Sequence, residues 1–446
     1  MTNLKGKKLV FAASMNGGAA ALAPVIRNLH TNHVGVSTLS SDAVSKTFDS
    51  AGVKHEVLPN SISDASLRTA VLNADPDIIV TGTQIQSKAS PLTLEQRLWK
   101  ITHDLGIPSV ALLDARSNTV ARFSELDTST DAEVGPILRQ VVLLPTSIAV
   151  LDEVQKQSMV AQGFDASMLI VTGSPDLETT FETVMKLSPA TRQELLSKPV
   201  FASFNKDPNA KFVVLLSDSF DKATWGFDEK GVMEDVLKAL ALASVSIGKI
   251  NLLVRPHPFR SQDAKAAFDS IDTNTTLNGS SRLAKVLHNP VSARGSDPAN
   301  DYDLDSLLYF ADVVIGTCNN PLVNAAIART AKRTKNLDAL LLFDQEHPPL
   351  KFVDKSGSLS FPAIPALAKE TPLVIQYMPG LKPEKEGDES QAFLAELGAA
   401  ARMVTKDQGL FTRLIIGAFD GSLVQKPYQA AVGATQRVIS LIESLV

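Results

Sequence analysis

The chain has a single cysteine, Cys318, among 446 residues. That excludes an internal disulfide and any zinc site built from cysteines, and it fits a reducing cytoplasm. Aromatic residues are few, 6% of the chain with 2 tryptophans and 4 tyrosines, and no cluster of Lys and Arg interleaves with them. A basic excess is also missing. The net charge is −5 and the pI about 5.9, so nothing offers a positive field to a nucleic-acid backbone. No apolar run reaches the ~20 residues of a membrane span, and the amino-terminal MTNLKGKKLVFAA has too short an apolar segment for a secretory signal. No Asp-x-Asp pair closes a strand-like run and there is no His-x-x-x-His pair, so a metal is not expected. The expectation is a cytoplasmic protein that needs no metal and binds neither nucleic acid nor membrane.

What the chain does have is short aliphatic runs alternating with helical periodicity. Lys8–Ser14 reads as a strand, Asn16-Gly17-Gly18 as a flexible turn, and Ala19–His30 as a helix with Leu22, Ile26 and Leu29 at helical spacing. Further strands are expected at 34–39, 55–58, 76–81, 109–113, 147–151 and 168–172, with a long helix over 92–105. Strands alternating with helices of this length imply βαβ units and a parallel sheet. A polar, proline-punctuated stretch over 176–209 interrupts the alternation, which resumes at Phe212–Ser217 and continues through 251–260, 311–317, 339–343 and 373–377. A chain of this length exceeds a single core. The expected division is an amino-terminal Rossmann-like domain over 1–175, a connection over 176–209, a second Rossmann-like domain over 210–427 and a terminal helix over 428–446.

Two corners of the second half carry the chemistry. In ADVVIGTCNNPLVNAA (311–326), the strand Val313–Ile315 runs into Gly316, Thr317, Cys318, Asn319 and Asn320, and Pro321 opens a helix. Such a helix start offers unpaired N–H groups and the positive end of a dipole to an anion. In NLLVRPHPFR (251–260), a strand delivers Arg255, His257 and Arg260, with two prolines holding the following backbone extended. A hydrogen bond from a charged arginine contributes about 1.5–3 kcal/mol against about 0.3–1 for a helix dipole, so the arginines would dominate a phosphate site there.

These segments, the Gly17-Gly18 corner and LDEVQKQSMVAQGFDASMLIVTGSPDLE (151–178), with Gly173 and Pro175 at its strand end, resemble the GT-B architecture. The resemblance implies an α/β fold of two facing Rossmann-like domains with a cleft between them that holds a nucleotide-activated donor. It extends to glycosyltransferases, CDP-glycerol glycerophosphotransferases and UDP-N-acetylglucosamine 2-epimerases. Where many of these place an acid and a Ser-Gly-Gly turn, followed by a ribose-binding glutamate, this chain has Thr317-Cys318-Asn319-Asn320 and then Asn324.

The resemblance implies a metal-independent glycosyltransferase with no cofactor, using a nucleotide sugar as substrate, UDP-linked being favoured and CDP or CMP open. A UDP-sugar 2-epimerase and a non-catalytic nucleotide-sugar binding protein are the alternatives. The acceptor is unidentified, and a homodimer is compatible with the reading. Donor phosphate would be met by Arg255, His257, Arg260, Gly316, Thr317, Asn319 and Asn320, with His257 also a catalytic candidate, and ribose or sugar by Asn324. Asn16, Gly17, Gly18 and Arg116 would form the acceptor or close-approach loop. Asp114, ending SVALL and followed by Arg116, Asn118 and Arg122, reads either as the base for an acceptor hydroxyl or as a turn cap paired with an arginine. Asp152 reads as an N-cap and Cys318 as passive.

Overall fold

Continuous apolar runs such as IIVT and SVAL have no polar face, so they are stable only with both sides of the sheet covered, the condition a parallel sheet with helices on each face satisfies. The computed structural model places them that way. It describes residues 3–59, 61–84, 92–115, 119, 121–123, 125–127, 137–139, 143–161, 163–204, 207, 209–216, 229–255, 283–287, 304–316, 324–325, 327–328, 342–344, 352–353, 359–360, 374–376, 416, 419 and 432–446. Two compact units result: Met1–Thr179 with Pro349–Ala366 and Gln429–Val446, and Thr180–Pro348 with Leu367–Tyr428.

In the first unit, β1 (Lys8–Ala13), β2 (Gly35–Ser41), β3 (Glu56–Leu58), β4 (Ile78–Thr81), β5 (Ser109–Leu112), β8 (Ser147–Val150) and β9 (Leu169–Val171) form one sheet. Its order is β3-β2-β1-β4-β5-β8-β9, and all six pairings are parallel. Helices α1 (Asn16–Thr31), α2 (Ser45–Ser50), α3 (Asp64–Ala74), α4 (Leu94–Leu105) and α5 (Glu153–Ala161) join the strands. Thr93 caps α4 in a full capping box with Gln96, and Gly106 in the left-handed region ends it. The short strands β6 (Glu125–Asp127) and β7 (Ile137–Arg139) pair antiparallel outside this sheet.

The helix expected at 19–30 begins at Asn16, so Gly17 and Gly18 are helical residues and not a turn. Neither has a positive φ. Their lack of a side chain serves packing, as the site geometry below makes plain.

In the second unit, α6 (Pro175–Val184) enters from the first, and α7 (Pro189–Leu196) follows. The stretch expected to be only a connection contributes to the second core: Leu195, Phe201 and Phe204 pack with Phe212, Val214 and Leu307. Strands β10 (Lys211–Leu216), β11 (Ile250–Arg255), β12 (Leu283–Leu287) and β13 (Val313–Gly316) form a parallel sheet of order β12-β11-β10-β13. Helices α8 (Glu229–Ile247) and α9 (Leu304–Phe310) belong to it.

The last helix, α10 (Ala434–Glu443), returns to the first unit. Val438, Ile439, Leu441 and Ile442 are buried in one core with Leu22, Val25, Ile26 and Leu29 of α1. Its start is capped from α6, where the Glu178 carboxylate accepts the N–H groups of Gly433 and Thr435, the latter at 2.8 Å. Arg437 Nε donates to the Thr172 carbonyl at 2.7 Å. Among the described residues, no helix is long and apolar enough to cross a membrane.

Candidate functional site

In the first unit the strand order reverses between β1 and β4, the place where open α/β sheets bind their ligands beyond the strand carboxyl ends. Four segments converge there: Ser14 after β1, Gly82-Thr83-Gln84 after β4, Asp114 after β5, and the first turn of α1. Two glycines allow the closest contact. A Cβ on Gly18 would lie 3.0 Å from the Gly82 Cα, and one on Gly82 would lie 2.7 Å from the Gly18 Cα. Helix α1 therefore sits directly on the segment leaving β4.

Asp114 lies against the first turn of that helix. A Cβ on Gly17 would overlap Asp114 Oδ2 and come within 2.9 Å of its Cγ. In dinucleotide-binding Rossmann domains this helix start receives a pyrophosphate. Here a side-chain carboxylate packs against the first turn instead, so the bare Gly17 makes room for the protein's own acid.

Asp114 Oδ1 accepts hydrogen bonds from Arg122 Nη1 at 2.7 Å and Thr83 Oγ1 at 3.2 Å. Arg122 Nη1 also reaches the Thr83 hydroxyl and carbonyl oxygens, at 2.8 and 3.2 Å. The side chains of Arg122 and Asp114 are only 8% and 10% exposed, which makes this a shielded pair and not a surface ion pair. Arg122 is held by its neighbours: Phe123 stacks on Trp99 with centroids 5.3 Å apart and meets Phe164 edge-on, and Gln96 Nε2 donates to the Arg122 carbonyl. The backbone after Asp114 is fixed from α5, since Gln155 Nε2 donates to the Ala115 carbonyl at 2.9 Å.

Sequence reasoning missed Glu95. It lies in the first turn of α4, where an acid is normally a solvated complement to the dipole, yet it is fully buried. The main-chain N–H of Ser14 donates to Oε1 at 2.8 Å, and Ser14 Oγ is 2.7 Å from both carboxyl oxygens. Burial pushes its pKa up, against the opposing pull of hydrogen bonds from Ser14, Thr93 and the main chain. Ser14 and Gln84 were missed as well, and no residue spacing would have paired them.

Asn16 is exposed and accepts a hydrogen bond from Thr47 Oγ1 at 2.8 Å. Asp152 Oδ1 accepts the Gln155 N–H at 2.9 Å, as an N-cap should. A Ser40–His55–Asp49 chain, with Ser40 Oγ 2.8 Å from Nδ1 and Asp49 3.2 Å from Nε2, has the residues of a hydrolase triad in the wrong orientation. The serine is wholly buried and the aspartate exposed, so it ties β2 to α2.

In the second unit, Leu216 of β10 pairs with Arg255 on one side and Gly316 on the other. Both candidates thus close their strands at one level of the sheet, beside the point where its order reverses between β10 and β13. Arg255 is buried. Asn324 is buried too, and its amide nitrogen donates to Thr180 Oγ1 at 3.1 Å and Asp305 Oδ1 at 3.4 Å. That leaves Oδ1 as the atom on which a ribose role rests. Arg116, Asn118, His257, Arg260, Thr317, Cys318, Asn319 and Asn320 lie outside the described residues. Among those described, no group of three or more His, Cys, Asp or Glu gathers to hold a metal.

Solved structures share this architecture end to end. The UDP-GlcNAc 2-epimerase of Methanocaldococcus jannaschii matches with a TM-score of 0.58 at 10% identity, over 97% of this chain and 99% of that one. The chain has the GT-B fold. The UDP-GlcNAc 2-epimerase of Neisseria meningitidis, solved with UDP-GlcNAc bound, matches at a TM-score of 0.51 and 10% identity, again over 97% and 99%. No family model matches the sequence, and no curated protein does. The GT-B assignment therefore rests on three-dimensional likeness, and identity this low carries the fold alone.

Proposed function

We propose that this GT-B protein is an enzyme acting on nucleotide sugars, and specifically a metal-independent glycosyltransferase. The observation that carries the reading is the Asp114 carboxylate, set at the start of α1 by Arg122 and Thr83 where the first sheet's order reverses. A base for an acceptor hydroxyl needs this kind of fixed, water-poor placement. In the second unit, Arg255, level with Gly316 across the intervening strand β10, would supply the counter-charge that a departing nucleoside diphosphate requires. His257, Arg260, Thr317, Asn319 and Asn320 complete the phosphate set in this reading, with Asn324 Oδ1 toward ribose or sugar and Asn16, Gly17, Gly18 and Arg116 on the acceptor side. A UDP-linked donor is favoured.

A 2-epimerase is the second reading, favoured by the likeness to epimerase structures. It would use a carboxylate to remove a proton from the sugar and need no acceptor. An NMR time course on UDP-GlcNAc without acceptor separates the two. Glycosyl transfer predicts no interconversion of the sugar and at most slow hydrolysis; epimerisation predicts a second UDP-sugar. Either activity should fall by about 10²–10⁴-fold in Asp114→Asn, the usual size of a general-base contribution. Unchanged turnover in that variant would remove Asp114 from the mechanism.

A further inference from the structure

Glu95, Ser14 and Gln84 form a polar run that the reading above does not use. Glu95 is wholly buried, Ser14 nearly so, and Gln84 reaches partial exposure one residue after Thr83. Ser14 Oγ lies 2.7 Å from both oxygens of Glu95 and in hydrogen-bond contact with Gln84 Oε1. A serine hydroxyl has one proton, yet this one faces three acceptor oxygens. Two arrangements resolve the count. In the first, Glu95 is a carboxylic acid that donates to Ser14 Oγ, and Ser14 donates to Gln84 Oε1. In the second, Glu95 is ionised and takes the serine proton, and the Gln84 amide turns over to donate Nε2 inward.

The surroundings select the first. The groups that bond Glu95 are Ser14 from β1, Thr93 from the start of its own helix and main-chain N–H groups, none of them basic. The charged groups of the adjoining cluster, Asp114 and Arg122, are engaged with each other and with Thr83. Among the described residues no cation pairs with Glu95, and a wholly buried carboxylate without one is expensive, whereas the neutral acid supplies the proton that Ser14 Oγ needs in order to pass its own to Gln84 Oε1.

We propose that Glu95 is held as a neutral carboxylic acid and, through Ser14 Oγ, positions Gln84 with its amide oxygen inward and its Nε2 turned outward as a donor to a substrate hydroxyl or phosphate oxygen. Glu95 is a positioning residue, and Gln84 is the group that reads the ligand beside the candidate base. The ligand part rests on the nucleotide-sugar reading; the protonation and the amide orientation do not.

The test is therefore spectroscopic and run on the ligand-free full chain. Difference infrared spectra of wild type against Glu95→Gln should contain a protonated-carboxyl band at neutral pH. In ¹⁵N-edited spectra the Gln84 side-chain amide, assigned by its loss in Gln84→Asn, should keep its shifts in Glu95→Gln, where the new amide can still donate to Ser14. In Ser14→Ala the Gln84 amide shifts should move, because its oxygen loses its donor, while its outward Nε2 protons keep their wild-type exchange rate; exchange faster by about tenfold would show that Nε2 had been bonded inward to Ser14. A carboxylate band in place of the acid, or a Gln84 amide indifferent to Ser14→Ala, would overturn the proposal. Neither result depends on which nucleotide sugar, if any, is turned over.

Discussion

Gly17 and Asp114 compete for one volume. An alanine at a helical glycine ordinarily stabilises by about 0.5–1 kcal/mol. Here the added Cβ overlaps the Asp114 carboxylate, and overpacking of this kind costs about 1–3 kcal/mol. Gly17→Ala is thus expected to lower stability in urea melts. Most of the loss should vanish in an Asp114→Ala background, because the two changes share one contact. An equal loss in both backgrounds would mean that the strain lies elsewhere. Glu95 makes a second prediction at this scale, with its sign fixed by burial. Its folded pKa is raised above the ordinary value of 4.5, so the native state keeps a proton that the unfolded chain releases. Stability should then fall as pH rises from about the unfolded value toward the folded one, and Glu95→Gln should flatten that decline in denaturation midpoints.

At the scale of elements, α4 carries both the aromatic anchor of Arg122 and the buried Glu95, so its amino-terminal cap holds part of the site. Thr93→Ala should cost about 1 kcal/mol of stability and loosen the Ser14 contact with it. Hydrogen exchange at the α4 amides, faster in the variant, is the readout. Helix α10 is a matching case in packing. Ile439 is wholly buried in the α1 core, and Ile439→Ala should destabilise the first unit by about 2–5 kcal/mol, seen in thermal melts.

These elements also mark what the sequence makes legible. Strands such as β4, β5, β10, β11 and β13 are readable because burial on two faces leaves an unbroken aliphatic run, whereas β12, LAKVL, is not expected from the sequence because Lys285 interrupts its run; α10 is readable from the spacing of Val438, Ile439 and Ile442. Where α10 docks is not, because an apolar stripe does not name its partner. Gly17 and Gly18 look like a turn because glycine usually signals backbone freedom, while their use here is the space they leave for Asp114 and Gly82. Asp114 with Arg122 was within reach, since an acid at a strand end followed by arginines suggests a pair. Glu95 was not, because an acid in a first helical turn is expected to face water, and only the tertiary fold removes that water.

The whole molecule joins a fold shared with nucleotide-sugar enzymes to a sequence that matches no family model. Fold likeness leaves the chemistry to the sites, and each unit places its candidates where its strand order reverses: Asp114 in the first, Arg255 and Gly316 in the second. Calorimetric titration of the full chain with UDP, CDP and UDP-GlcNAc tests the central claim most directly. Wild type should bind at least one of them, Arg255→Ala should lose about tenfold or more of that affinity for the loss of one charged hydrogen-bond donor, and Asp114→Asn should bind as wild type does. Equal affinity in wild type and Arg255→Ala, or no binding of any of the three, would contradict the account.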